Sequence, residues 1–201
     1  MERLLMDQIV FRDNALRQLI ERLKNKRDVK NSFDKVVDKT PALEICRVLR
    51  MNRDRHTQEV LCNALRKKKH PAAIPTLFSI LKQTRSPKVR AAAIEALGDL
   101  RAISGGPYLI KLFKDARQPV YVRDTAALSL GLIGYHKAEV ELINGLRSKI
   151  RTIRYCSAKA LGFLKSVKAL PELSKQLLRE RNTSVKHALT EALCIIIKDR
   201  K

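Results

Sequence analysis

This 201-residue sequence has no tryptophan, and aromatic residues make up only 4% of it. So few rings argue against stacking on single-stranded bases as the main mode of binding. The four cysteines are Cys46, Cys62, Cys156 and Cys194, and no two have the C-x-x-C spacing. We therefore interpret them as small buried residues of a reduced cytoplasmic protein, not as redox groups or metal ligands.

Long apolar runs are also missing. No run approaches the 18 residues that a membrane-spanning helix needs, so no transmembrane segment is predicted. The first residues, "MERLLMDQIVFRDN", carry acids and lack a continuous apolar segment, which is not the pattern of a secretory signal.

Catalytic motifs are absent as well. The sequence has no P-loop, no G-x-S-x-G and no H-E-x-x-H. Its four histidines, His56, His70, His136 and His187, are scattered, with no other histidine or cysteine at ligand spacing. We predict no catalytic residue, no metal site and no cofactor.

Acidic residues are scarce. Lys and Arg number 42 against 20 Asp and Glu, which gives a net charge of +22, and basic residues exceed acidic ones in every quarter of the chain. A hydrophobic content of 45% is enough to bury a core, so the chain is not a disordered polycation. The charge indicates an anionic partner, which could be a nucleic acid, an anionic membrane surface or an acidic protein.

One pattern recurs along the chain at steps of 31 to 33 residues. It reads "VRAAAIEALGDL" from Val89, "VRDTAALSLGLI" from Val122, "IRYCSAKALGFL" from Ile153 and "VKHALTEALCII" from Val185, with a weaker copy, "TQEVLCNALRKK", from Thr57. Its eighth column is Ala64, Ala96, Ser129, Ala160 and Ala192, and its ninth is Leu65, Leu97, Leu130, Leu161 and Leu193. The leucines predict one continuous core.

The tenth column of the same pattern holds Gly98, Gly131 and Gly162 in its three middle copies. Glycine inside a helix costs about 1 kcal/mol relative to alanine. Its recurrence in one column therefore predicts a place where another helix comes close.

A second helix follows each of the first four copies, as "AIPTLFSIL", "GGPYLIKLF", "AEVELINGL" and "ALPELSKQL". One column of these helices is Leu77, Leu109, Leu142 and Leu173, and the column four residues later is Leu81, Phe113, Leu146 and Leu177. Pro75, Pro107 and Pro171 share a column near the helix start, where proline costs least. Each unit is thus two antiparallel helices, and the units must stack to bury their apolar faces.

The "VRxxAxxALG" and "xxPxLxxxL" helices resemble the HEAT repeat, in the short form also seen in the phycobilin-lyase-like branch. The resemblance covers residues 55–199. It implies an all-α fold, an α-solenoid of about five stacked helix pairs whose VR helices line the concave side. We interpret residues 1–54 as an N-terminal helical cap and residues 55–201 as the array, with repeats starting near 57, 89, 122, 153 and 185.

In this family an Asp commonly stands five residues before the Val of "VR" and pairs with the arginines. The corresponding residues here are Thr84, Arg117, Ser148 and Glu180, of which one is acidic. We therefore predict that unpaired cations at these turns bind a polyanion. The predicted residues are Lys88, Arg90, Arg123, Lys149, Arg151, Arg154, Arg181 and Lys186. The alternative is that they form a solvated face, with some arginines paired to carboxylates that the sequence does not place.

These patterns predict a non-enzymatic scaffold that binds an extended acidic partner, either an acidic protein or the phosphate backbone of a nucleic acid without sequence specificity. One alternative, by fold analogy with the lyase-like branch, is a lyase or chaperone acting on acidic phycobiliproteins. Another is a helical-repeat DNA glycosylase of the alkylpurine type, but that family's site uses tryptophans, which this chain lacks.

Overall fold

The computed structural model describes residues 40–199, which form ten α-helices and no strands within that range. The helices are α1 (Ala42–Met51), α2 (Arg55–Lys68), α3 (Ile74–Gln83), α4 (Pro87–Asp99), α5 (Gly106–Lys114), α6 (Val120–Leu132), α7 (Glu139–Gly145), α8 (Arg151–Phe163), α9 (Leu170–Arg179) and α10 (Thr183–Lys198). Most of the predicted N-terminal cap, residues 1–39, lies outside the described residues, and the cap stays a prediction.

The helices pack as five successive pairs, α1 with α2, α3 with α4, and so on to α9 with α10. The even-numbered helices, which carry the VR pattern, also pack on one another in sequence order and form one continuous layer. The odd-numbered helices pack mainly onto that layer. The predicted α-solenoid of about five stacked helix pairs is confirmed.

The order of helices within a pair differs from the order inferred from the sequence, which placed the VR helix first. In the structure the odd helix comes first in each pair, and a short 3-10 turn after each of α2, α4, α6 and α8 carries the chain to the next pair. These turns are Pro71–Ala73, Ile103–Gly105, His136–Ala138 and Val167–Ala169. Helix α1 therefore pairs with α2 across the predicted boundary between residues 54 and 55.

Successive even helices end in the same way, with a residue in the left-handed region of backbone space. The residues and their φ angles are Lys69 (49°), Arg101 (50°), Gly134 (71°) and Lys165 (51°). This conformation suits glycine best, but a cation there interacts favourably with the negative end of the helix dipole. The 3-10 turns that follow lie at one edge of the array, the 3-10 edge, made of residues 69–73, 100–105, 133–138 and 164–169.

The core follows the predicted leucine columns. Leu97, Leu130 and Leu161 are fully buried, as are all four leucines of the first column of the odd helices. Leu193 was predicted to be buried but is only half-buried, and so is Leu177. Both belong to the last pair, and no further pair of the described chain covers that side of it.

The glycine column marks the closest approach of neighbouring VR helices, as predicted. Each glycine faces the small eighth-column residue of the next VR helix. The pairs are Gly98 with Ser129, Gly131 with Ala160, and Gly162 with Ala192. A Cβ atom at Gly131 would lie 2.6 Å from Ala160 Cα, so any side chain there meets backbone.

Candidate polyanion-binding edge

Each odd helix is joined to its even partner by a short turn, and the even helices all begin at these turns. Because the even helices stack side by side, their first residues lie along one edge of the array. This turn edge consists of residues 52–55, 84–88, 115–120, 146–151 and 180–186. It holds five helix starts, the positive ends of the helix dipoles, which favour anions.

Arg154, in the second column of the repeat, points into the protein and not toward solvent. Its Nε donates to Glu180 Oε2 at 2.7 Å and its Nη2 to Glu180 Oε1 at 3.0 Å, while Nη1 donates to Ser148 O at 2.8 Å. The Arg154 side chain is 17% exposed and that of Glu180 is 3% exposed. Glu180 lies in the next turn along the array, so this forked ion pair ties α8 to the following pair.

Arg90 and Arg123 are engaged in a similar way. Arg90 donates to Thr84 O at 2.7 Å and to Gln118 Oε1, in the next turn, at 2.9 Å. Arg123 Nε donates to Phe113 O at 2.9 Å. The accepting carbonyls belong to the end of the preceding odd helix, where cations suit the helix dipole. The guanidinium groups of these arginines therefore hydrogen-bond carbonyl oxygens at the end of one helix, although the arginines belong to the first turn of the next helix.

Five of the eight predicted residues remain available to a partner. Lys88, Lys149, Arg151, Arg181 and Lys186 are exposed, and none makes a side-chain hydrogen bond or ion pair within residues 40–199. The prediction missed three more exposed cations at this edge, Arg53, Arg55 and Arg85, which are also without such contacts in that range. A search for cations within four residues of each repeat start would have found all three.

The carboxylates of this edge accept hydrogen bonds from groups within the protein. Asp54 Oδ2 accepts from Thr57 N at 2.7 Å and from Thr57 Oγ1 at 2.6 Å, which caps α2. Asp115 accepts from Arg117 Nε at 2.9 Å and from the side chain of Gln118 at 3.0 Å, and the Arg117 hydrogen bond lowers the pKa of Asp115. The free cations therefore dominate the charge of the turn edge.

Glu180 accepts hydrogen bonds from Arg154 and from the backbone N–H groups of Arg181 and Asn182. The Arg154 contact is the main cause that lowers the Glu180 pKa to about 2, against a burial effect of opposite sign. Since the carboxylate is favoured in the folded state, its stabilising contribution is full above the unfolded pKa of about 4.3 and is lost as the pH falls toward 2.

We expect stability to depend on pH through this carboxylate. Between pH 6 and pH 2, the wild-type free energy of unfolding should fall by about 3 kcal/mol more than that of Glu180→Gln, since one pKa unit corresponds to about 1.4 kcal/mol. Urea unfolding followed by circular dichroism across this range measures the difference. If the free energy of unfolding falls equally in the two proteins between pH 6 and pH 2, folding does not lower the pKa of Glu180.

A cleft of about 270 Å³ opens on the turn edge between the starts of α8 and α10. It is lined by Arg151, Thr152, Tyr155, Asn182, Ser184 and Val185. Arg151 is its one charged residue, so an anion that reached the cleft would meet a free guanidinium and no carboxylate.

No cluster of three or more His, Cys, Asp or Glu side chains suited to a metal occurs among residues 40–199. Within the same range, no helix is long and apolar enough to cross a membrane.

The model of the family described as HEAT repeats matches residues 43–121 and, in an overlapping second match, residues 106–194. This chain belongs to the HEAT-repeat family. The match covers the five helix pairs but does not assign the chain to the phycobilin-lyase-like branch. A comparison with curated protein sequences gives no match.

Among solved structures, the crystal structure of an engineered protein is similar to this HEAT-repeat chain, with a TM-score of 0.56 and 20% identity over 90% of this chain and 96% of the other. At that identity the likeness shows the fold alone. Human deoxyhypusine hydroxylase in complex with glycerol has a TM-score of 0.41 and 19% identity, over 95% of this chain and 88% of the other. That score is too low to support a comparison of function.

Proposed function

We propose that this HEAT-repeat protein is a non-enzymatic scaffold that binds an extended acidic partner along its turn edge, either an acidic protein or the phosphate backbone of a nucleic acid. The observation that carries the proposal is a row of exposed cations at this edge that make no side-chain hydrogen bond or ion pair within residues 40–199, beside acids that are engaged internally. These cations are Lys88, Lys149, Arg151, Arg181 and Lys186.

The distribution of charge across the array supports this proposal. Two acids near the ends of VR helices, away from the turn edge, are paired with cations. Glu95 pairs with Arg66, and Asp199 pairs with Lys165. Within residues 40–199, eight exposed cations without a side-chain hydrogen bond or ion pair lie at the turn edge, against three, Lys69, Arg101 and Lys137, at the 3-10 edge.

The spacing of the array suits an extended partner. Stacked helices lie about 8–10 Å apart, so the free cations of successive turns follow one another along the edge. The turn at residues 115–120 interrupts the row, because Arg117 pairs there with Asp115. Arg90, Arg123 and Arg154, which were predicted to bind the partner, instead serve here as braces that hold the turns in place. The contacts to the partner are assigned to the five free cations.

The cysteines support the cytoplasmic location proposed for this scaffold. All four are free, and Cys46, Cys62 and Cys156 are buried. Burial raises the pKa of the Cys62 and Cys156 thiols to about 12, which keeps them protonated and unreactive. Inert, unpaired cysteines are usual in a reducing compartment.

Binding of duplex DNA, single-stranded DNA, RNA and polyglutamate at two salt concentrations tests the proposal. We expect Lys149→Gln/Arg151→Gln to weaken binding of the tightest of these polyanions and, where that is DNA or RNA, to reduce the salt dependence by about one unit of slope per lost phosphate contact. Arg101→Gln/Lys137→Gln is the matched control, because it removes the same two kinds of charge from the 3-10 edge. Fluorescence anisotropy measures all the affinities.

Two outcomes would overturn the proposal. One is that no polyanion binds at low salt. The other is that the turn-edge variant and the 3-10-edge variant lose affinity equally, because the protein would then act through its net charge and not through the turn edge.

A further inference from the structure

A second cleft on the turn edge lies between the start of α2 and the turn that leads into α4. Its volume is about 160 Å³. It is lined by Arg53, Arg55, Gln58, Ile80, Gln83, Thr84, Arg85 and Ser86. Three arginines therefore line one small concavity with no Asp or Glu among its lining residues, and we call it the arginine cleft.

The three arginines of this cleft are unpaired within the part of the chain that the structure describes. Arg53, Arg55 and Arg85 are exposed and make no side-chain hydrogen bond or ion pair within the described range. The nearest carboxylate along the chain, Asp54, is directed at Thr57 and caps α2. Like charges gathered without a counter-ion repel one another, so the cleft is suited to an anion that neutralises them.

The size of the cleft selects a small anion. Pockets for drug-sized molecules have volumes of about 300–1,000 Å³, well above the 160 Å³ available here. A guanidinium donates from a planar fork that matches phosphate oxygens, and it stays charged at any working pH. Amide and hydroxyl groups of Gln58, Gln83 and Ser86 line the same space and can hydrogen-bond the remaining oxygens.

We propose that the arginine cleft binds a single phosphate group in its dianionic monoester form. Two negative charges against three guanidinium groups favour a monoester over a singly charged diester. This site goes beyond the proposed scaffold function, because a phosphate-sized anion needs only this cleft and no extended partner.

The cleft between α8 and α10 provides an internal comparison. It lies three repeats further along the turn edge, and Arg151 holds the place there that Arg55 holds in the arginine cleft, two residues before the first column of the repeat. It contains one guanidinium where the arginine cleft contains three. Strong phosphate binding is therefore assigned to the first cleft alone.

Calorimetric titration of the full chain with inorganic phosphate and with phenyl phosphate, in chloride buffer at constant ionic strength, tests the site. We expect one saturable site, and Arg53→Gln/Arg55→Gln/Arg85→Gln should weaken it at least about tenfold, since hydrogen bonds to charged groups are among the strongest. Binding of phenyl phosphate should also weaken as the pH falls below about 6, where a monoester loses its second charge. Dimethyl phosphate, a diester, should bind more weakly than either.

Lys149→Gln/Arg151→Gln is the control, and it should leave phosphate binding unchanged while reducing the binding of long polyanions. Arg85→Gln alone serves if the triple variant does not fold, as judged by circular dichroism. The site is overturned if neither phosphate nor phenyl phosphate binds saturably, if Arg85→Gln binds them as the wild type does, or if the diester binds as tightly as the monoester. None of these results depends on whether an extended polyanion binds.

Discussion

Replacing Arg154 with alanine is expected to lower the free energy of unfolding by about 3–5 kcal/mol, as for other buried ion pairs that lose one partner. The change leaves Glu180, which is 3% exposed, without the two guanidinium bonds that compensate its burial. It also leaves Ser148 O without its side-chain donor. Because Glu180 belongs to the next pair, the loss weakens the junction between α8 and α10 as well as the turn itself.

Urea unfolding at neutral pH measures this loss. Lys186→Ala is the control, since Lys186 holds the same repeat position but is exposed and unpaired, and its replacement should change stability by about 0.5 kcal/mol or less. Adding Glu180→Gln to Arg154→Ala should recover part of the loss, because the buried charge is removed. Equal, small effects of Arg154→Ala and Lys186→Ala would show that the ion pair does not brace the junction.

The fold could be predicted from the sequence because each repeat must bury the same positions. Leu97, Leu130 and Leu161 recur at the period of the helix pair, and burial of these columns leaves little freedom in how the pairs stack. The failure at Leu193 has a simple cause: the same residue type is less buried where no further described pair covers it. Periodicity predicts which residue faces the neighbour, but not where the neighbours end.

The candidate site was only partly accessible from sequence. The loss of the usual acids was taken to leave Arg90, Arg123 and Arg154 free, but two of these arginines use carbonyls at the end of the preceding helix and an acceptor in the next turn, while Arg123 bonds Phe113 O. Backbone acceptors carry no signature in the side-chain pattern. Arg53 and Arg55 were missed for a different reason, because they precede the first and weakest copy of the repeat, which begins only at Thr57.

Gly131→Leu is expected to destabilise the fold by about 3 kcal/mol or more, at the upper end of the cost of overpacking. A Cβ atom at this position would lie 2.6 Å from Ala160 Cα and 2.9 Å from Ala160 O. Both are backbone atoms of α8, so no side-chain rotation relieves the clash, and α6 and α8 must move apart. Their separation would disturb the stacked layer of VR helices on both sides, because each of these helices also packs on its other neighbour.

Gly162→Leu is the matched comparison for this prediction. Its Cβ would lie 3.1 Å from Ala192 Cα, and α10 has no described helix pair beyond it, so it can shift outward at a lower cost. We therefore expect thermal unfolding to rank Gly131→Leu as the less stable of the two. The competing idea is that these glycines have no packing role, in which case leucine should stabilise both helices by about 0.8 kcal/mol through its higher helix propensity. A melting temperature above that of the wild type for Gly131→Leu would therefore refute close helix approach as the reason for the glycine column.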